Sequence, residues 1–247
     1  MKKILLVTGA MGYIGFHTCK KFSKWKLNYE IIATDNRFLP SSVKWLAQHG
    51  IKFYQRDIFD IDDLVKESDV ILHCSGQTAV PGIASQSTPE IDAEIWKNGP
   101  DATKNILNNC KKDAIFLFPS THVCWESLPP DSPIVTEQTP LCPALAYSRG
   151  KAQSESDIIN SGVNYIIFRL GSVYGYSKNI RISILPNLFS QKTSQNQNLS
   201  CFGGGKQIKP LICIEDVVRF LRLALENNLN NEIFNLVNEH LTVAQIA

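Results

Sequence analysis

The 247-residue sequence has no Cys-x-x-Cys pair, although seven cysteines are scattered along it at positions 19, 74, 110, 124, 142, 201 and 213. Such irregular spacing argues against a zinc site or a disulfide framework and reads as reduced thiols in a cytosolic protein. His122 and Cys124 have no further ligands clustered near them, so no metal is expected, and His122 reads as a site-lining residue. Charge is scarce too: 19% of residues are charged and the formal net charge is +2, with both signs interspersed. That leaves no field to gather nucleic acid. The lysines at 20, 21, 24 and 26 read as the solvated face of a helix. No apolar run reaches the roughly 20 residues that cross a bilayer. The opening Met-Lys-Lys-Ile-Leu-Leu-Val halts at Thr8-Gly9, too short for the core of a secretory signal. It reads as a buried strand, and the protein as cytoplasmic with no membrane partner. No internal repeat is present.

Hydrophobic residues make up 44% of the chain, enough for an ordinary folded core. The length suits one large α/β domain, or one domain with a small lobe. Short apolar runs at 3–7, 30–33, 51–54, 70–73, 115–118 and 165–169 read as strands. Helix-length segments lie between them at 13–25, 42–48, 61–67, 90–111 and 146–160. Strand and helix in alternation, with the strands apolar throughout, predict a Rossmann-type doubly wound parallel sheet. Beyond residue 170 Pro, Asn, Gln and Gly become common. Residues 171–247 therefore read as a small C-terminal substrate-binding lobe on a cofactor-binding domain of residues 1–170. A helix at 215–226 and a strand near 232–236 fall in that lobe, and 191–198 reads as a polar loop. The sequence stops as a further helix begins, which reads either as a naturally short protein or as a lobe with a part missing.

Thr8-Gly9-Ala10-Met11-Gly12-Tyr13-Ile14-Gly15 follows the first strand and opens the first helix. Glycines three apart permit a tight turn, close approach of backbone to a pyrophosphate, and close helix–strand packing. The anion would sit on the helix N-terminus. Asp35 ends the second strand, placed to accept hydrogen bonds from an adenosine ribose and to repel a 2′-phosphate. NAD is favoured over NADP, although Arg37 weakens the argument, and an Asp that merely opens a turn fits the same position. Asp57 and Ile58 after the third strand, and Cys74, Ser75, Gly76 and Gln77 after the fourth, stand where a cofactor would pass. Buried packing at strand ends explains them equally well.

Tyr147 and Lys151 stand four apart, on one face of a helix, with Ser120 upstream. An ammonium beside the phenol can lower a pKa that is otherwise about 10. The phenolate can then take a proton from a sugar hydroxyl while a neighbouring acceptor takes hydride. Alone, the spacing is shared with many surface helices.

Together these stretches resemble the extended short-chain dehydrogenase/reductases, the NAD-dependent epimerase/dehydratase group acting on nucleotide sugars. The resemblance runs along essentially the whole chain. Besides the motifs above it includes Arg169-Leu-Gly-Ser-Val-Tyr-Gly175, Phe202-Gly-Gly-Gly-Lys-Gln207 and Ile214-Glu-Asp216. It implies Tyr147 as catalytic base and acid, Lys151 tuning it and holding the nicotinamide ribose, and Ser120 bonding the sugar oxygen. Gly9, Gly12, Tyr13, Ile14 and Gly15 would hold pyrophosphate, and Asp35 with Asn36 the ribose. Asn187, Leu188 and Lys209 would hold the sugar nucleotide's diphosphate and base, and Ser172 would lie near the sugar. A homodimer through the helices at 90–111 and 146–160 is implied, although Ile91, Ile95, Ile106 and Leu107 could equally face the sheet.

The chain also departs from the family pattern. Thr121-His122 stands where dehydratases and decarboxylases carry an acid, which argues against β-elimination. Lys209-Pro210 replaces Arg-Asp, and Cys124-Trp125 replaces Tyr-Gly. A nucleotide-sugar epimerase leads, with a keto intermediate. A ketoreductase that exchanges its cofactor each cycle uses the same residues. A non-catalytic NAD-binding sensor is the third reading.

Overall fold

Leu5 and Val7 pack on one side of the first strand and Leu6 on the other, and none is more than 1% exposed. Burial on both faces is what a central parallel strand requires. The computed structural model describes residues 2–77, 88–129 and 132–247. Along it run β1 (Lys3–Thr8), α1 (Tyr13–Trp25), β2 (Tyr29–Asp35), α2 (Pro40–Gln48), β3 (Lys52–Gln55), α3 (Asp62–Glu67) and β4 (Val70–His73). Then come α4 (Pro89–Trp96), α5 (Ala102–Asn109), β5 (Ile115–Thr121), α6 (Ala146–Asn160), β6 (Asn164–Leu170) and β7 (Ser172–Tyr174). The chain continues through α7 (Leu185–Ser194), β8 (Ile208–Cys213), α8 (Ile214–Glu226), β9 (Glu232–Leu236), β10 (Glu239–Thr242) and α9 (Val243–Ile246).

The main sheet is all parallel, in the order β3-β2-β1-β4-β5-β6-β9. The order reverses between β1 and β4, the switch point outside which such sheets bind ligands. Apolar side chains of α1, α2 and α8 cover one face and those of α3, α5 and α6 the other. The Rossmann-type doubly wound architecture expected from the alternation is therefore present. The strand near 232–236 lies in this main sheet, beside β6. A second sheet, β10-β8-β7, stands outside it.

Two local differences from the sequence reading have clear causes. The segment 90–111 is interrupted at Lys97–Asp101 by a π-helical turn containing Pro100, which has no N–H to give to an α-helical ladder. β5 runs on past Phe118 to Thr121, through Pro119. A proline is out of place in a paired central strand. Here the β4 pairing stops at Leu117 while the β6 pairing continues, so one side of β5 lies open from 118 onward. That opening is where the crevice begins, and it puts Ser120 and Thr121 on the strand. Among the described residues no helix is long and apolar enough to cross a membrane, and no cluster of His, Cys, Asp and Glu could hold a metal.

Candidate active site

A cleft of about 1390 Å³ opens over the carboxyl ends of the central strands. On its floor the chain turns at Gly9, whose φ is +64°. A Cβ there would lie 2.7 Å from the backbone of Cys74 and Ser75, so only glycine lets the β1 and β4 loops meet. A Cβ on Gly15 would lie 2.4 Å from the Gly9 carbonyl oxygen, which makes α1 pack on its own entry turn. Gly12 precedes α1, and Gly12, Tyr13, Ile14 and Gly15 line the cleft. First-turn N–H groups have no acceptor within the helix, so this corner suits a diphosphate.

The neighbouring corner holds Asp35, Asn36, Asp57 and Ile58. The Asp35 carboxylate is only 6% exposed. It accepts the Met11 N–H at 2.8 Å and the Arg37 N–H at 2.9 Å, and the Arg37 guanidinium at 3.2 Å. Asp35 thus braces the glycine turn as well as facing the cleft, and its charge is paired. Cys74, Ser75, Gly76 and Gln77 continue the lining toward the other end. Cys74 is a poor thiolate, because burial pushes its thiol up to about 12.

There β5 and α6 meet. Glu126 joins them: its carboxylate accepts the N–H groups of Ala144 and Leu145 at 3.1 and 2.9 Å and the Ser148 hydroxyl. This caps α6 and sets Tyr147 and Lys151 against the strand end. Tyr147, Lys151, Ser120 and Thr121 all line the cleft. Of the two strand-end hydroxyls, that of Thr121 pulls the phenol's pKa down. Ser120 instead donates to Glu155, which accepts from Arg169 at 2.8 and 3.1 Å. Arg169 stands opposite Ser120 in the β5–β6 register, and the pair it forms with Glu155 is buried.

The electrostatics differ from the expectation that Lys151 lowers the phenol. Burial pushes Tyr147 up to about 12, against the opposing pull of the Arg181 guanidinium and the Thr121 hydroxyl. Lys151 donates to the Pro119 carbonyl at 2.9 Å and lies 4.2 Å from the Phe118 ring centroid. Burial brings it down to about 8, with Cys74, Cys124 and Glu155 opposing. In the free protein desolvation governs both groups, and the cation acting on the phenol is Arg181. His122 gives its Nδ1–H to the Leu170 carbonyl at 3.0 Å, leaving Nε2 as the acceptor, and burial holds it below the usual histidine range.

Ser172, Leu188 and Lys209 line the opposite wall. Among the expected residues Asn187 alone lies behind that wall, 5% exposed. It accepts the Gly175 N–H at 3.1 Å and donates to the Arg181 carbonyl at 3.0 Å. Thr121, Glu126, Glu155, Asn179 and Arg181 were not singled out in the sequence as site residues. Glu155 carried a signal, since it lies eight positions after Tyr147 on the same helix face. Arg181 and Asn179 sit in an irregular loop with no periodicity to mark them.

The model of the family described as "NAD dependent epimerase/dehydratase family" matches residues 5–236. A putative UDP-glucose 4-epimerase of Methanocaldococcus jannaschii is 30% identical over 244 residues, covering 94% of this chain and 76% of that protein. A trifunctional UDP-glucose 4,6-dehydratase, 3,5-epimerase and reductase of Arabidopsis thaliana is 26% identical over 259 residues, 95% of this chain but 37% of that protein. Among solved structures, the UDP-glucuronic acid 4-epimerase of Bacillus cereus with UDP-glucuronic acid and NAD superposes with a TM-score of 0.82. It is 24% identical, and the match covers 98% of this chain and 80% of that one. The dTDP-glucose 4,6-dehydratase of Bacillus anthracis with NAD gives a TM-score of 0.83 at 20% identity, covering 98% and 78%. The glycine turn, the helix N-terminus and the braced Asp35 fit that cofactor, and the chain belongs to the NAD-dependent epimerase/dehydratase family of enzymes.

Proposed function

We propose that this enzyme epimerises a nucleotide sugar through a transient keto sugar, with Tyr147 as base and acid. The observation that carries the reading is the convergence of Tyr147, Thr121, Ser120 and Lys151 in one cleft that also contains the glycine turn. Bound NAD supplies the hydride acceptor and, on return, the donor. Tyr147 takes the proton of the ring hydroxyl and later restores it. Thr121 lines the same cleft and its hydroxyl pulls the phenol's pKa down, so it can steady the oxygen as charge develops. Ser120 has its proton committed to Glu155 and can only accept from the sugar. Lys151 keeps hydrogens free for a ribose after its bond to Pro119. Lys209 and Lys192 line the cleft and supply charge for a diphosphate. Dehydration is disfavoured: Thr121-His122 offers no carboxyl, and Glu126 on the same turn is occupied in capping α6. A substrate lobe built on β7, β8 and α7, and a homodimer through α4 and α6, belong to the same reading. On those helices Trp96 and Ile159 are about 40% exposed, whereas Ile106 and Leu107 of α5 pack on the sheet.

The test is mass spectrometry of whatever co-purifies, then an assay against UDP-, dTDP-, CDP- and GDP-sugars. Epimerase activity interconverts two sugars with no added cofactor. Stoichiometric consumption of added cofactor would move the assignment to a ketoreductase. The division of labour between the hydroxyls is tested separately. Thr121→Ala should lower kcat about tenfold, since one hydrogen bond is worth roughly 0.5–1.5 kcal/mol, with little change in Tm. Ser120→Ala should instead lower stability by about 1.5–3 kcal/mol, the range for a bond to a charged acceptor. Equal kcat losses without a loss of stability would restore Ser120 to the chemical role.

A further inference from the structure

The loop between β7 and α7 is fastened to the cofactor side of the cleft at several separate points. Tyr13, at the start of α1, donates its phenolic hydrogen to the Gly175 carbonyl. Asn179 donates to the Met11 carbonyl at 3.0 Å and accepts the Ser42 hydroxyl at 3.0 Å. Lys178 donates to the Ser41 carbonyl at 2.7 Å. From behind, buried Asn187 holds both Gly175 and Arg181, and Ile180 and Ile184 pack on the core cluster. Asn179, Ile180 and Arg181 line the same cleft as the glycine turn and Asp35.

Met11 is the junction of this wiring. Its N–H goes to Asp35 and its carbonyl to Asn179. Asp35 leads along the chain to Ser42, and Ser42 returns to Asn179. The circuit ties the glycine turn, the end of β2 and the start of α2 to a loop reached only after residue 174. These are the elements assigned to the diphosphate and the adenosine.

We propose that residues 175–187 form a strap that retains NAD between turnovers, with Asn179 as its fastening. The proposal rests on the NAD assignment but not on the identity of the sugar. Release of the dinucleotide then requires Asn179 to give up Met11 and Ser42 together. Slow exchange suits an enzyme that restores its own cofactor in each cycle and would throttle one that must trade it. The strap therefore favours the epimerase over the ketoreductase on a ground independent of the catalytic residues.

The experiment is the dissociation rate of radiolabelled NAD from the purified full chain, chased with unlabelled NAD and followed by filter retention. Wild type should hold the label for many minutes. Asn179→Ala should release it at least about tenfold faster, equivalent to roughly 1.4 kcal/mol of lost hydrogen bonding. Ser42→Ala removes one bond of the pair and should fall between the two. A thermal melt of each variant, with circular dichroism, separates a loosened strap from a misfolded chain. Should Asn179→Ala destabilise the fold, Ser42→Ala carries the decision. Folded variants that release NAD at the wild-type rate would overturn the strap, whatever sugar the enzyme takes. Failure of the sugar panel with slow NAD release intact would overturn the epimerase and leave the strap standing.

Discussion

Tyr147→Phe should lower kcat by roughly 10²–10⁴-fold, the usual contribution of a positioned proton-transfer group, while the protein still binds NAD. The change deletes one oxygen and leaves the ring in place. It removes the oxygen on which the Arg181 guanidinium and the Thr121 hydroxyl act. The phenol sits at about 12 in the free protein because burial outweighs the neighbouring guanidinium. On the proposed role as base, its ionisation would be driven by what binds beside it. Bound NAD would bring a cationic nicotinamide, and the hydroxyl of the proposed sugar would be the proton-transfer partner. Tyr147→Phe should consequently keep KM close to wild type and lose kcat, the pattern for an interaction made in the transition state. The measurement is steady-state turnover with NAD binding followed by intrinsic fluorescence. A variant that turns over at the wild-type rate would remove Tyr147 from the mechanism. One that no longer binds NAD would show that the ring oxygen organises the cofactor site instead.

Much of this site was visible before any coordinates, for reasons that differ along the chain. The glycine turn declares itself because only glycine tolerates the contacts at Gly9 and Gly15, so backbone geometry is written directly in residue type. Strand after strand of apolar residues carries the doubly wound sheet in the same way. Tyr147 and Lys151 were legible from helical spacing. What spacing did not reveal is which partner each takes. Ser120 and Thr121 are adjacent, and strand alternation sends them to opposite sides: Ser120 donates to Glu155, whereas the Thr121 hydroxyl accepts the Val123 N–H. Reading β5 as ending at Phe118 hid that alternation. Arg181 was invisible for another reason. It belongs to a loop whose shape is set by a bond from Asn187, six residues on, and by bonds to Tyr13 and Met11, 162 and 168 residues away along the chain.

Arg169→Leu should destabilise the protein by about 3–5 kcal/mol, the cost of stranding a buried charge. At roughly 2–4 °C per kcal/mol for a chain of this size, Tm falls by about 6–20 °C. The magnitude follows from how completely the pair is enclosed: Arg169 is 5% exposed and Glu155 is 1% exposed. Arg169 gives Glu155 its bonds from Nε and Nη2, gives Nη1 to the Glu137 carbonyl at 2.9 Å, and lies 4.9 Å from the Trp125 ring centroid. Truncation to Leu leaves the Glu155 carboxylate in the same apolar space with the Ser120 hydroxyl as its hydrogen-bond donor and the Lys151 ammonium as the neighbouring charge. Removing both charges is a different matter, because a buried pair replaced by apolar groups of similar volume is often neutral in stability. The double variant Arg169→Leu/Glu155→Leu should therefore recover most of the lost Tm. Its activity should stay reduced, because the Ser120 hydroxyl would lose its acceptor and turn toward the cleft. Differential scanning calorimetry on the three proteins decides the stability question, and kcat on the double variant decides the positional one. A single variant that melts within 2 °C of wild type would mean water reaches Glu155. A double variant with full stability and full activity would show that the pair sets neither the β5–β6 register nor the orientation of Ser120. Calorimetric recovery joined to lost turnover would identify Glu155 as the group that holds the Ser120 hydroxyl in its place.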